Sequence, residues 1–357
     1  MNRRLRKLVG TFAGHGVEGL LVSRPTDVTY LSGFTGEDAS LLVLEEEAFL
    51  LVDFRYTERA ERESSGVTVT EIRGKMTDTL SGLAGDAGRV GFDSSHLTHG
   101  VFGLLSEKLG AKLSPLKNPV SALRAVKDDG ELALIQRSVK VAEESFLQLK
   151  KTLRSGMTEK DVADEVEHLL RRNGASRGAF PAIIGSAENA SLPHHTVSDR
   201  VIEEGDAVLI DMGAVLSGYA SDLTRMVFFG EPDEEQRKIY GAVLRAQSLG
   251  IESAAAGRTG VKVDAAARDF LKDAGYGGLF GHGLGHGVGL DVHESPVLAP
   301  RSRDTLETGM VVTFEPGVYR RGWGGIRIED MGVITDSGCD LLTGLPRDIE
   351  SARTETV

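Results

Sequence analysis

The chain of 357 residues exceeds the usual span of one domain, and 40 % of it is apolar, enough to build a core in each of two domains. Lys and Arg total 41 against 53 Asp and Glu, a formal charge of −12, which argues against nucleic acid and anionic membranes as partners. The single cysteine, Cys339, excludes an intramolecular disulfide and fits a reducing compartment; after Asp336-Ser337-Gly338 it reads as a turn residue rather than a nucleophile.

In chain order, the basic opening Met1–Leu8 leads into Gly10, Gly14 and Gly16, so no leader-type apolar run forms, and no 18-residue apolar stretch exists anywhere. The expectation is an amphipathic helix with Leu5, Leu8, Val9 and Phe12 inward, in a soluble cytoplasmic protein. Leu20–Ser23, Ser40–Leu44, Phe49–Phe54, Val67–Ile72 and Val90–Asp93 read as strands, and Arg55–Glu63 and Leu97–Leu109 as helices. This is an α/β pattern over residues 1–125. It holds no catalytic constellation, since His96 and His99 have no neighbouring histidine or cysteine cluster. Proline, charge and glycine from Asn118-Pro119 to Asp128-Asp129-Gly130 mark a boundary, with a second domain over 126–357.

That domain opens with a long helix carrying Leu132, Ile135, Val139, Ala142, Phe146, Leu149 and Leu153 on one stripe. Thr158 starts a second helix, with Asp161 at the capping-box position and Gly174 past its end. The apolar stretches Ala207–Ala214 and Gly218–Gly230 read as a hairpin. The same plan follows again: a helix from Asp233 to about Ala256, another from Val263 to Ala274, and strands Met310–Tyr319 and Gly325–Thr335. The separations Glu131 to Asp233, Thr158 to Val263 and Ala207 to Met310 are 102, 105 and 103 residues. The pattern predicts two related halves of an α+β domain with a site between them.

Each of these four apolar stretches carries an acid: Asp211, Asp222, Glu315 and Glu329. Burying an unpaired carboxylate costs several kcal/mol, and only Arg225 and Arg327 lie within the same stretches to pair them. Four such acids call for a metal. Three histidines, His282, His286 and His293, alternate with glycines in Gly281–His293. That run is neither a phosphate-cradling G-x-G-x-x-G nor a metal-binding H-E-x-x-H, and its glycines disfavour a helix. A further pair, His194-His195, follows Leu192-Pro193. Carboxylates and imidazoles in such numbers, with no thiolate cluster, would favour Mn²⁺, Fe²⁺ or Co²⁺ over a thiolate-type structural zinc site.

Asp211, Asp222 within Ser-Asp-Leu-Thr-Arg, His286 in its Gly-His-Gly loop, Glu315 before Pro316-Gly317, and Arg327-Ile328-Glu329-Asp330 resemble the pita-bread metallopeptidases over residues 130 to about 345. That family includes methionine aminopeptidase, aminopeptidase P, prolidase and the metal-free creatinase. Asp27–Phe34 and Val52–Tyr56 resemble the smaller creatinase-like domain of the prolidase and aminopeptidase P branch, a domain methionine aminopeptidase lacks.

The resemblance implies a pita-bread fold with pseudo-two-fold halves behind a creatinase-like α/β domain. It also implies two divalent ions, Mn²⁺ first, with Co²⁺, Fe²⁺ or Zn²⁺ as alternatives. Asp222 and Glu329 would bridge, Asp211 would complete one ion, and His286 with Glu315 the other. Glu315 would also relay a proton, His194 and His293 would stabilise the intermediate, and His282 would contact substrate. Arg327 would hold a substrate carboxylate or orient the ligand carboxylates. The implied activity is that of an Xaa-Pro aminopeptidase on proline-containing peptides. A prolidase restricted to dipeptides and a non-catalytic pita-bread binding protein are the alternatives. A homodimer is implied, its N-terminal domain narrowing access to the site.

Overall fold

The structure is a computed structural model that describes residues 1–354. The chain divides into two compact units, Met1–Arg124 and Ala125–Val357.

The first unit is built on a mixed six-stranded sheet. Its order is Thr68–Glu71, Ala48–Val52, Ala39–Leu44, Gly19–Val22, Arg89–Asp93, Lys112–Leu116. Leu21, Leu42, Leu51, Val90 and Phe92 form its core with Leu80 and Leu105 from helices on the sheet. The opening helix Arg3–Val9 buries Leu5 and Leu8 completely, and Phe12 lies buried in the short helix that follows. Helices Pro25–Ser32 and Met76–Ala84 and the strand Lys112–Leu116 are additions to the sequence reading.

In the second unit, helix Asp129–Thr152 starts at a capping box formed by Asp128 and Glu131, and it buries Ile135, Val139, Ala142, Phe146 and Leu149. Helix Glu159–Arg172 starts at a second box, Thr158 with Asp161. Together they pack on the antiparallel strands Ile183–Ser186, Ala207–Met212 and Leu223–Phe228. Helices Glu234–Ser253 and Gly260–Asp273 repeat the arrangement against a five-stranded sheet that contains Gly285–Gly287, Val311–Phe314 and Asp330–Ile334.

The long apolar stretches are not continuous strands. Met310–Tyr319 breaks at Glu315-Pro316. The part before, Val311–Phe314, belongs to the five-stranded sheet, and the part after, Gly317–Arg320, pairs with Gly324–Arg327 in a separate ribbon. Gly325–Thr335 breaks at Ile328-Glu329 and rejoins the larger sheet at Asp330. Ala207–Ala214 is interrupted at Gly213, where an added side chain would overlap the Ser221 carbonyl. The stretch starting at Gly218 is interrupted at Ser221-Asp222. Both sides of each break are buried, so apolar patterning runs straight through it; Pro316, which lacks an N–H, cannot extend a ladder. Glu315, Asp222 and Glu329 occupy these breaks, and Asp211 sits one residue from the end of its strand.

Candidate active site

The breaks turn their acids toward one cavity of about 530 Å³. Oxygens of Asp211, Asp222 and Glu329 all lie within 4.8 Å of one another. Ligand atoms of His286, Glu315 and Glu329 form a second group within the same limit, and those of Asp222, His286 and His293 a third. Asp222, His286 and Glu329 each take part in two of these groups. His286 Nε2 lies 3.3 Å from Glu315 Oε1 and 3.7 Å from Asp222 Oδ2. All five proposed ligands line this cavity together with His194, His282, His293 and Arg327.

Asp211 Oδ1 and Glu329 Oε1 are buried and have no hydrogen-bond partner among the described residues. Burial, with the neighbouring carboxylates adding to it, pushes Asp222 and Glu329 well above the usual carboxylate range. Burial raises Asp211 too, although Arg327 opposes it. Burial acts to raise Glu315 as well, but its hydrogen bond to His286 and the charges of His286, His282 and Arg327 outweigh this and hold it low. Burial by itself would lower His286; Glu315 against its ring outweighs that and raises it. A nest of four carboxylates and one imidazole with orphaned oxygens fits a pair of divalent cations. Such cations must displace protons, so metal affinity falls as pH falls.

Arg327, 2 % exposed, donates from Nη2 to Asp211 Oδ2 at 2.5 Å, from Nε to Thr224 Oγ1 at 3.1 Å and from Nη1 to the Tyr319 hydroxyl at 2.8 Å. Thr224 in turn donates to Glu329 Oε2 at 2.6 Å. Tyr319 OH stands 2.9 Å from His282 Nε2, and His282 Nδ1 faces the Gly283 carbonyl at 2.8 Å. With a neutral His282 ring, one set of proton positions satisfies the whole chain: Arg327 donates to Tyr319, Tyr319 to His282 Nε2, and His282 Nδ1–H to Gly283. Burial lowers the His282 pKa, in keeping with a neutral ring. Thr224 and Tyr319 escaped the sequence reading.

His293 packs edge-on to the His286 ring, centroids 4.2 Å apart, and is itself exposed to the cavity. Burial first, and the His286 ring second, keep its pKa low. The next residue, Glu294, is tied to the almost fully buried Lys127 at 2.8 Å, which anchors this stretch of chain.

The adjacent histidines 194 and 195 diverge. His195 Nε2 donates to Glu159 Oε2 at 2.8 Å. His194 is exposed at the cavity. Glu159, itself fully buried, also accepts from the Ser186 and Ser198 amides and hydroxyls and from Asn189. Desolvation acts to raise Glu159, but this set, with Ser198 foremost, outweighs it and holds its pKa at about 2. A carboxyl depressed on folding contributes stability above its unfolded pKa near 4.5, and that contribution fades as pH drops toward 2. Glu159→Gln is therefore expected to lower stability at pH 7 by about 3 kcal/mol, with the difference shrinking by pH 3. Urea unfolding at the two pH values reads this; an equal deficit at both would contradict it. His194→Ala is expected to cut turnover by about 10²-fold with metal content unchanged, whereas His195→Ala should act mainly on stability. Steady-state rates and metal analysis of both variants check the division, and the reverse ranking would refute it.

Comparison with known proteins accords with this architecture. Residues 133–336 match metallopeptidase family M24, and residues 4–126 match the creatinase/prolidase N-terminal domain. The chain belongs to metallopeptidase family M24: it is a hydrolase with the pita-bread fold, preceded by a creatinase-type α/β domain. It is 34 % identical to the Xaa-Pro dipeptidase of Pyrococcus furiosus over 98 % of this chain and 100 % of that one. An Xaa-Pro dipeptidase structure from Bacillus anthracis superposes with a TM-score of 0.94 at 35 % identity, covering 97 % of this chain and 98 % of that one. An X-Pro aminopeptidase structure from Thermotoga maritima superposes at 0.88 with 36 % identity, covering 95 % and 99 %. Among the described residues, no helix is long and apolar enough to cross a membrane.

Proposed function

We propose that this protein is a metal-dependent Xaa-Pro dipeptidase that hydrolyses the bond before proline with two divalent ions held by Asp211, Asp222, His286, Glu315 and Glu329. The observation that carries the reading is the convergence of four buried carboxylates and His286 on one cavity whose volume suits a dipeptide. The sequence reading ranked the aminopeptidase first. The names of the Pyrococcus and Bacillus relatives shift the weight to the dipeptidase. Likeness to the Thermotoga enzyme keeps the aminopeptidase as the second reading.

The chemistry that ions held by these residues would supply is an activated water and a sink for the charge on the scissile carbonyl. Glu315 accepts a proton from that water and delivers it to the proline nitrogen, which has no hydrogen of its own and must gain one to leave. His194 and His293 donate N–H bonds to the tetrahedral oxygen. Arg327 donates to Asp211, Thr224, Tyr319 and the Pro193 carbonyl, four of its five N–H groups, which supports ligand orientation over capture of a substrate carboxylate. Likewise both His282 nitrogens face fixed partners, so its contact with substrate is through the ring.

The oxygen-rich ligands favour Mn²⁺, the single cysteine fits the cytoplasm, and the family resemblance supports a homodimer. Hydrolysis of an Xaa-Pro dipeptide and an Xaa-Pro-Xaa tripeptide by the Mn²⁺-loaded protein tests the specificity. Preferential cleavage of the dipeptide is expected; preferential cleavage of the tripeptide would establish the aminopeptidase instead.

A further inference from the structure

Glu315 and Glu329 lie where their strands are broken: Phe314 is the last residue of its ladder, opposite Asp330, and Ile328 lies between two strands. The peptide N–H groups find carbonyls across the site: Glu315 N–H donates to Leu284 O at 2.8 Å and Glu329 N–H to Thr224 O at 3.2 Å. The carbonyls of the same two peptide groups, those of Phe314 and Ile328, converge on one side chain. Gln247, fully buried on helix Glu234–Ser253, sends its Nε2 to Phe314 O at 3.0 Å and to Ile328 O at 3.1 Å.

The amide orientation follows from chemistry. Both carbonyls can only accept, so the nitrogen must face them. Its oxygen then faces Arg347 Nη1 at 3.4 Å, which can only donate. One –NH₂ group thus spans the two peptide planes that carry two metal-ligand candidates from different strands.

The far side of the Glu329 bend is held in the same way. Arg225, 3 % exposed, donates to the Glu329 carbonyl at 2.5 Å, to the Leu345 and Pro346 carbonyls, and to Asp330 Oδ1 at 2.7 Å. Thr343 donates to that same Asp330 oxygen at 2.6 Å. The segment 343–347 therefore meets both Gln247 and Arg225 from behind the cavity, and none of these residues lines it.

We propose that Gln247 is a positioning residue that sets the separation of Glu315 and Glu329, with Arg347 locking its amide, and that it acts on metal affinity without touching metal or substrate. The inference rests on the ligand assignment above. Partners lying behind ligating groups commonly govern metal affinity by 10–100-fold. Losing Gln247 uncouples the Ile328 carbonyl, which lies outside the ladders, from the Phe314 carbonyl at the end of its ladder.

The test is calorimetric titration of Mn²⁺ into the metal-stripped full chain, with thermal unfolding of the same metal-free samples. Gln247→Met keeps length and apolar volume but removes both donations. It is expected to weaken binding of at least one ion by about tenfold or more, at a temperature where the metal-free variant is folded. Arg347→Met, at a partly exposed position, is expected to weaken it by about threefold and covers the case in which Gln247→Met fails to fold. Unchanged Mn²⁺ affinity in a folded Gln247→Met protein, or in Arg347→Met if that is the one that folds, overturns the proposal even when its unfolding temperature drops. A parent chain that binds no Mn²⁺ overturns the ligand assignment and this inference with it.

Discussion

Glu329→Ala and Asp222→Ala are expected to abolish hydrolysis, with a loss greater than the ~10³-fold typical of removing one oxyanion donor, and to lose bound metal while the fold persists. Both acids belong to two of the ligand groups, so removing either one takes an oxygen from each of two groups. Their effect on folding should have the opposite sign. In the metal-free chain both carboxyls are pushed well above their usual range by burial first and by neighbouring carboxylates second, Asp211 and Glu315 in both cases, so either truncation relieves like-charge crowding. Metal-free Glu329→Ala should unfold no earlier than the metal-free parent. Circular dichroism melts beside rate measurements check both halves; normal turnover in either variant would sink the ligand assignment.

Arg327→Met is expected to destabilise the metal-free protein by about 3–5 kcal/mol, the range for breaking a buried ion pair by removing one partner. Asp211 would keep its burial and its carboxylate neighbours and lose its 2.5 Å contact with a cation. Tyr319 would lose the donor that sets the direction of its own hydroxyl toward His282. Cations at the acid cluster would replace part of the missing positive charge, so the deficit should narrow when Mn²⁺ is added. Thermal melts with and without metal measure this. A deficit that is the same in both conditions would mean that Arg327 supports the fold without acting on the acid cluster.

The acids were legible because the chemistry is conspicuous: Asp211, Asp222, Glu315 and Glu329 stand in runs such as Val208-Leu209-Ile210 and Val311-Val312-Thr313-Phe314, where charge is costly. One helix start was equally plain, since Thr158 with Asp161 forms the capping box its spacing announces; the box of Asp128 with Glu131 went unread within the domain boundary. The residues that hold the acids in place were not legible. Thr224, Tyr319 and Gln247 are ordinary members of apolar or amphipathic stretches, and each acts on a group that is remote in sequence. Thr224 and Glu329 are 105 positions apart, and Gln247 and Ile328 are 81 apart.

The strand breaks were hidden for a related reason. Burial on both sides of Glu315 and Glu329 keeps the apolar pattern unbroken while the hydrogen-bonding partner changes. In the first unit, Pro25–Ser32 is rich in β-branched and aromatic residues, which mask a helix whose real signal is Pro25 in its first turn and Gly33 past its end. Lys112–Leu116 was masked by Pro115, a residue a strand tolerates at a sheet edge, which is where this one lies.

The most direct test of the two-ion account is to strip the protein with chelator and titrate Mn²⁺ back while following hydrolysis of an Xaa-Pro dipeptide. The account predicts no activity in the stripped protein, two ions bound per chain at saturation, and turnover that appears only as they bind. Full activity after complete removal of metal, or saturation at a single ion with full turnover, would contradict it.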